Sequence, residues 1–215
     1  MKSMKRALSL ALIVIMVLLC GCGQKDTPAE EPTATPTATP EPTPEPTPEP
    51  TPVPVVAIEN YQYYVVTNST LAVSFKYPSH WINSPGKSTI CYVEPVNAGD
   101  LAARLAVTSK VMSKKPETKQ IKAQLTDFMT LVSESCDGYE AGELKEDVAI
   151  MDVKGVRQKY TARDRATGKA YTGYVLICYV HSARRIYLLH FTAPTEDYDS
   201  LSAVIDVIRD SMSTT

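Results

Sequence analysis

The amino-acid sequence predicts an α+β domain built on an antiparallel β-sheet that is covered on both faces. Three observations carry this. In the pair of runs Tyr171 to His181 and Arg185 to Ala193 most positions are apolar. With the turn centred on Ala183-Arg184, one face carries Tyr174, Leu176, Cys178, Val180, Tyr187, Leu189 and Phe191, and the other carries Val175, Ile177, Tyr179, Ile186 and Leu188. An antiparallel pair that is apolar on both faces must be buried on both. Next, Leu71, Val73, Phe75 and Tyr77 recur at every second residue, the period of a strand with one buried face. Finally, two segments carry apolar residues three and four apart, the period of an amphipathic helix: Ile121, Leu125, Phe128 or Met129 and Val132 in one, and Tyr198, Leu201, Val204 or Ile205, Ile208 and Met212 in the other.

Taken in order, the chain opens with Lys2, Lys5 and Arg6, followed by an apolar run from Ala7 to Leu19 that is too short for a permanent membrane span. The run ends in Leu19-Cys20-Gly21-Cys22, which resembles a lipobox, the signal at which bacteria cleave a secretory peptide and acylate the new N-terminal cysteine. Gly21 supplies the small residue the cleavage pocket needs, whereas cleavage before Cys20 would place Leu19 there. The reading is therefore a signal peptide over residues 1–21 and lipidation of Cys22. A metal or redox role for Cys20-x-Cys22 lacks a second ligand pair at metal-site spacing.

Residues 22–56 form a linker, and eleven of the sixteen prolines fall between Thr27 and Pro54, among Thr, Glu and Ala. Such a segment has nothing to bury and reads as an extended polyproline-like spacer. At ~3.1 Å per residue it reaches on the order of 80 Å, enough to hold a domain well away from a bilayer. Residues 57–215 then form one domain of ordinary size, expected to fold without the spacer.

Within that domain, Tyr63 to Val66 and Leu71 to Tyr77 read as strands around a turn at Thr67-Asn68-Ser69-Thr70. In Tyr77-Pro78-Ser79-His80-Trp81, proline ends the strand, Trp81 plugs the end of the core, and His80 is expected in a solvent-facing turn. Ser88 to Val96 and Arg104 to Met112 are strands joined through Asn97-Ala98-Gly99-Asp100. Pro116 and Glu117 open the first helix, and Gly138 is expected to cap its C-terminus. Ala141 to Met151 and Lys154 to Arg163 are strands, and Arg165-Ala166-Thr167-Gly168 forms a hairpin loop with Gly168 left-handed. Thr195 is expected to cap the last helix, where Glu196, Asp197 and Asp199 suit the helix dipole and lack calcium-loop spacing.

Charge and cysteine content exclude several function classes. Residues 57–215 carry 18 Lys+Arg and 18 Asp+Glu, while residues 22–56 carry one Lys against six acids. A neutral domain offers no basic face for nucleic acid. Cys91, Cys136 and Cys178 cannot all pair; an extracytoplasmic location leaves room for one disulfide, but the apolar strand-like runs around Cys91 and Cys178 favour free thiols over a bridge. There is no Gly-x-Ser-x-Gly elbow, no His-Glu-x-x-His and no Cys-x-x-Cys. His181 and His190 lie ~13 Å apart along the strands, too far to share a metal. No catalytic residue, cofactor or metal is therefore expected. Arg163, Arg165 and Lys169 gather at one hairpin tip and Arg184 and Arg185 at the other, opposite ends of a shared strand, which suits solvated tips better than one anionic-polymer patch.

The alternating strand running into Tyr77-Pro78-Ser79-His80-Trp81, together with Tyr187 to Pro194 leading into a C-terminal helix, resembles the PsbP-like (Mog/PsbP-type) domains over roughly residues 62–215. That resemblance implies helices on both faces of the sheet, an α/β/α sandwich, in a family whose members bind diverse partners and share no catalytic residues that can be placed here. The expected function is a lipid-anchored extracytoplasmic interaction module at the cell membrane, with an envelope protein or wall polymer as partner. An envelope hydrolase with a fold-assembled site and a small solute-binding lipoprotein are the alternatives. Tyr61, Tyr63 and Tyr64 are the candidate contact residues, against the reading that they pack on the first strand.

Overall fold

The computed structural model describes residues 57–85, 89–94 and 102–215. The lipobox with Cys22, the Pro-rich spacer and the Asn97 to Asp100 connection lie outside the described residues. The architecture is α+β, mostly antiparallel strands with two helices.

The two-sided hairpin forms as β8 (Ala170–Val180) and β9 (Arg185–Pro194) and occupies the middle of a seven-stranded antiparallel sheet. On one side of it lie β5 (Arg104–Val111), β4 (Thr89–Val93) and β3 (Ile82–Pro85), and on the other β7 (Val153–Arg163) and β6 (Asp137–Ile150). One face of this sheet buries Leu176, Cys178, Val180, Tyr187, Leu189 and Phe191 against Leu201, Val204, Ile205 and Ile208 of α2 (Tyr198–Asp210). The opposite face buries Val175, Ile177, Tyr179 and Ile186 against Leu125, Met129 and Val132 of α1 (Thr118–Ser135). Helices thus cover both faces.

The register differs from the expected one. Cys178 pairs with Tyr187 rather than Leu189, because the connection is a four-residue turn, His181 to Arg184, with Arg184 left-handed (φ 51°). A slip of two residues leaves every side chain on its own face, so both face assignments survive it.

A single sheet is corrected to two. β1 (Tyr63–Asn68) and β2 (Val73–Pro78), with the two-residue β10 (Ser213–Thr214), form a separate three-stranded sheet in the order β1-β2-β10. In β2 the alternating Val73 and Phe75 are buried while Ser74 and Lys76 are not, so this hairpin is a cover rather than a central layer. Leu71, Val73 and Phe75 pack beside α2 on the same core, and the Trp81 N–H donates to the Pro78 carbonyl at 3.0 Å to turn the chain out of this sheet into β3. Trp81 is buried in that core, at the end of the strand where a plug was expected.

Element ends moved for reasons local sequence does not contain. Gly138 is left-handed (φ 56°) but lies inside β6, where the β6–β7 register skips between Asp137 and Glu140, and does not cap α1. The guanidinium of Arg165, reaching in from the β7–β8 loop, instead donates to the Glu134 and Cys136 carbonyls, both at 3.1 Å. At the other end of α1 the Glu117 N–H donates to the Gln120 side chain at 2.9 Å. Thr195 does not cap α2: its N–H donates to the Ala170 carbonyl (3.2 Å) and its hydroxyl bonds that of Thr172 (3.1 Å), so the strand ladder holds it and Asp197 becomes the cap position. Gly168 is left-handed (φ 70°) as its hairpin requires. Met151 and Asp152 are both left-handed (φ 48° and 57°), the conformation that a two-residue hairpin turn needs.

Beneath α1, His190 packs edge-on to Phe128 and shares a 2.6 Å hydrogen bond with the Tyr160 hydroxyl. Burial pushes its imidazole down to about 4. Below the ordinary value of ~6.5 the unfolded chain takes up a proton the folded chain refuses, so stability falls as pH drops from 6.5 toward 4. Part of the residue still reaches solvent, which limits the loss to about 1–3 kcal/mol. Urea midpoints measured across this window should fall toward acid, and His190→Gln should flatten that slope. An unchanged slope in the variant would place the titration elsewhere.

Candidate functional site

The chain enters the domain through a short turn, Ile58–Asn60, that brings Tyr61 against the Pro78 to Trp81 bend. The Tyr61 hydroxyl donates to Oε1 of Glu94, the residue just after β4, and the Glu94 N–H donates to the Ala103 carbonyl at 2.9 Å, fixing its backbone. The His80 ring stands edge-on to Tyr61 with centroids 4.4 Å apart, and its Nε2 lies 3.9 Å from the same Glu94 oxygen. Trp81 completes the cluster. Its Nε1 and the His80 Nε2 are both enclosed without a hydrogen-bond partner among the described residues.

Electrostatics follow from burial and from Glu94. Burial first, then the hydrogen bond and charge of Glu94, hold the Tyr61 hydroxyl protonated far above the ordinary phenol range. Burial pushes His80 below its ordinary value, and the Glu94 carboxylate partly restores it. His80 is thus an imidazole biased toward its neutral form, with a carboxylate nearby. No Ser or Thr hydroxyl or Cys thiol among the described residues hydrogen-bonds to it. Among the described residues no three His, Cys, Asp or Glu side chains gather at a spacing that would hold a metal ion. The arrangement can accept and donate hydrogen bonds and display aromatic edges.

This site corrects one sequence expectation and divides another. His80 is not solvent-facing: its side chain is 21% exposed and it has an acid neighbour. Glu94 carries no local mark, because it lies 14 residues downstream of His80 and reaches it only through β3, which no period in the sequence predicts. Once Ile82 pairs with Val93, Glu94 falls one step beyond that pair, opposite Trp81. The three tyrosines do not form one exposed cluster, since Tyr61 and Tyr63 pack against the core and only Tyr64 is exposed.

Other predicted residues play structural parts. His181 lies in the β8–β9 turn, edge-on to Tyr179. Arg165 pairs with Asp137 (3.2 Å) as well as ending α1, Arg163 donates to the Gly168 carbonyl (3.4 Å), Arg184 to the Ser113 carbonyl (3.0 Å) and Arg185 to the Ser109 hydroxyl (2.8 Å). Arg163 therefore braces its own loop, while Arg165, Arg184 and Arg185 tie their tips to neighbouring segments. Cys136 and Cys178 are free and buried, with burial pushing the Cys178 thiol up to about 12; the Cys91 side chain lies outside the described residues. A shallow groove of about 420 Å³ runs between α1 and β6–β7, over Leu125, Met129, Tyr139 and Leu144.

The Glu94–His80 coupling is measurable. Glu94→Gln removes the charge that favours imidazolium, so the His80 pKa read by NMR should fall further below the ordinary histidine value. An unchanged His80 titration would mean that the two side chains do not face each other.

Comparison with solved structures supports the same fold. The chain resembles the solution structure of cyanobacterial PsbP (CyanoP) from Synechocystis sp. PCC 6803, with a TM-score of 0.52 and 11% identity over 76% of this chain and 98% of that one. Weaker matches include LpqN, involved in cell envelope biogenesis of Mycobacterium tuberculosis (TM-score 0.48, 14% identity, 73% and 92% of the two chains). Another is the Saccharomyces cerevisiae Ran-binding protein Mog1p (TM-score 0.49, 9% identity, 72% and 96%). No family model and no curated protein sequence matches the chain.

Proposed function

We propose that this chain is a lipid-anchored, extracytoplasmic interaction module: Cys22 carries the lipid, residues 22–56 act as a spacer, and the folded domain binds a component of the cell envelope without catalysing a reaction. The observation that supports the non-catalytic reading most is the fate of the histidines. His190 is tied to Tyr160, His181 packs on Tyr179, and His80 is wedged against Tyr61 with its neighbouring carboxylate already engaged by the tyrosine hydroxyl. A general base needs a nucleophile or water within hydrogen-bond reach; the contacts of His190 and His80 commit those two rings to packing, and exposed His181 has no acid or nucleophile bonded to it among the described residues. The anchor and spacer add reach, which raises the rate of encounter with partners held in the envelope.

A second reading, an envelope hydrolase, is favoured by one feature, the acid–imidazole proximity of His80 and Glu94. One experiment separates the two. Full-length wild type and His80→Ala are recovered from native membranes after brief cross-linking, and their partners are compared. Equal recovery of the same partner by a folded His80→Ala chain supports binding. Loss of the cellular phenotype by His80→Ala with partner recovery intact would favour catalysis.

A further inference from the structure

We propose that the outer edge of β1 is a self-association surface, at which β1 of a second copy of this chain adds antiparallel to the three-stranded sheet. Among the described residues β1 pairs only with β2, through six consecutive pairs from Tyr63↔Pro78 to Asn68↔Val73 with no irregularity. Its sequence, Tyr63-Tyr64-Val65-Val66-Thr67-Asn68, contains no charge and no proline. Tyr64 is 57% and Val65 67% exposed, and as adjacent strand residues they point to opposite faces. Among the described residues nothing pairs with this edge, and an edge whose backbone donors and acceptors lie between apolar side chains is the arrangement that templates addition of another strand.

The same molecule shows what a guarded edge looks like. β6, at one end of the seven-stranded sheet, carries Glu140, Glu143, Lys145, Glu146 and Asp147, its pairing with β7 is interrupted at three places, and Asp147 is left-handed (φ 60°). At the other end, β3 is four residues long and contains Pro85. Charge, bulges, shortness and proline are the recognised devices against edge pairing, and β1 has none of them.

A second copy fits this edge because the strand complements itself. In an antiparallel pair, directly opposed residues share the same hydrogen-bonding orientation, so a two-fold axis must set a residue against its own copy. Centred on Val65, that register sets Val65 opposite Val65, Tyr64 opposite Val66 and Tyr63 opposite Thr67 of the second copy. All are β-branched or aromatic side chains of the kind that stabilises cross-strand pairs, and no like charges meet. The proposal rests on the edge geometry and not on the anchor or on any envelope partner.

The test uses the full-length chain carrying Val65→Cys in its native membranes, oxidised gently, beside Thr70→Cys in the exposed β1–β2 turn. Opposed residues in an antiparallel pair have Cα atoms ~4.5–5.5 Å apart, within disulfide reach. The expected result is a disulfide-linked homodimer from Val65→Cys and at least tenfold less from Thr70→Cys. Because Val65 is exposed, Val65→Lys should leave the fold intact and weaken association at least tenfold in sedimentation of the full-length protein. The same pair of cysteine variants in a Cys22→Ala background, concentrated in solution, reads the edge independently of lipidation. Absence of dimer from both Val65→Cys and Val66→Cys, association indifferent to Val65→Lys, or cross-linking of Val65→Cys to a different protein would overturn the proposal.

Discussion

Cys22→Ala is expected to move the full-length protein from the membrane fraction to the soluble fraction almost completely, while Cys20→Ala leaves it membrane-bound. Among the described residues no helix is long and apolar enough to cross a membrane, so the folded part offers no helical span to take over the role. Acyl chains contribute about 0.8 kcal/mol per buried CH₂, and stable anchoring needs more than one such signal. Removing the acceptor therefore changes partitioning by orders of magnitude rather than by degrees. The proposed choice of Cys22 over Cys20 rests on Gly21, because only cleavage before Cys22 would place a small residue in the cleavage pocket. The converse pattern, release by Cys20→Ala and retention of Cys22→Ala, would sink the assignment.

Gly173→Ala should be the most destabilising conservative change in the sheet. A Cβ at Gly173 would lie 2.6 Å from both Cζ and the hydroxyl oxygen of Tyr160 and 2.7 Å from the Phe191 carbonyl oxygen. Tyr160 sits opposite Gly173 in the β7–β8 pairing, with its ring over the glycine and its hydroxyl bonded to His190. The backbone oxygen cannot swing away, and moving the tyrosine gives up a buried hydrogen bond. Overpacking costs about 1–3 kcal/mol and an orphaned buried polar group a similar amount, so the expected loss is about 3–5 kcal/mol. For a domain of this size that corresponds to roughly 10 °C in Tm. Gly168→Ala is the contrasting control: it faces open space and meets only the left-handed backbone penalty, about 1–2 kcal/mol. Equal Tm shifts for the two variants would show that the Tyr160 ring does not occupy the space above Gly173.

These sites also show where sequence reasoning reached and where it stopped. The two faces of the β8–β9 hairpin were legible because side-chain alternation is a local property of a strand, and an even slip in pairing cannot change it. The buried stripes of both helices were legible for the equivalent reason at a period of 3.6. Helix ends were not. The carbonyls at the end of α1 are satisfied by Arg165, 30 residues downstream of Ser135, so the local glycine signal at Gly138 pointed to the wrong device.

The candidate site divides in the same way. His80 and Trp81 could be singled out by residue type and by their position beside a strand-ending proline, and Tyr61 by its place among three tyrosines, yet Glu94 had no local mark. The sequence by itself determined the alternating faces and the helical stripes, since each depends on residues that are neighbours along the chain. Only the tertiary structure decided that the first hairpin belongs to a second sheet, that among the described residues β1 pairs along one edge only while β6 is guarded, and that Glu94 meets Tyr61 and His80. Those outcomes rest on which strands pair and in what register, and that is fixed by packing between segments far apart in sequence, where no short-range period carries the information.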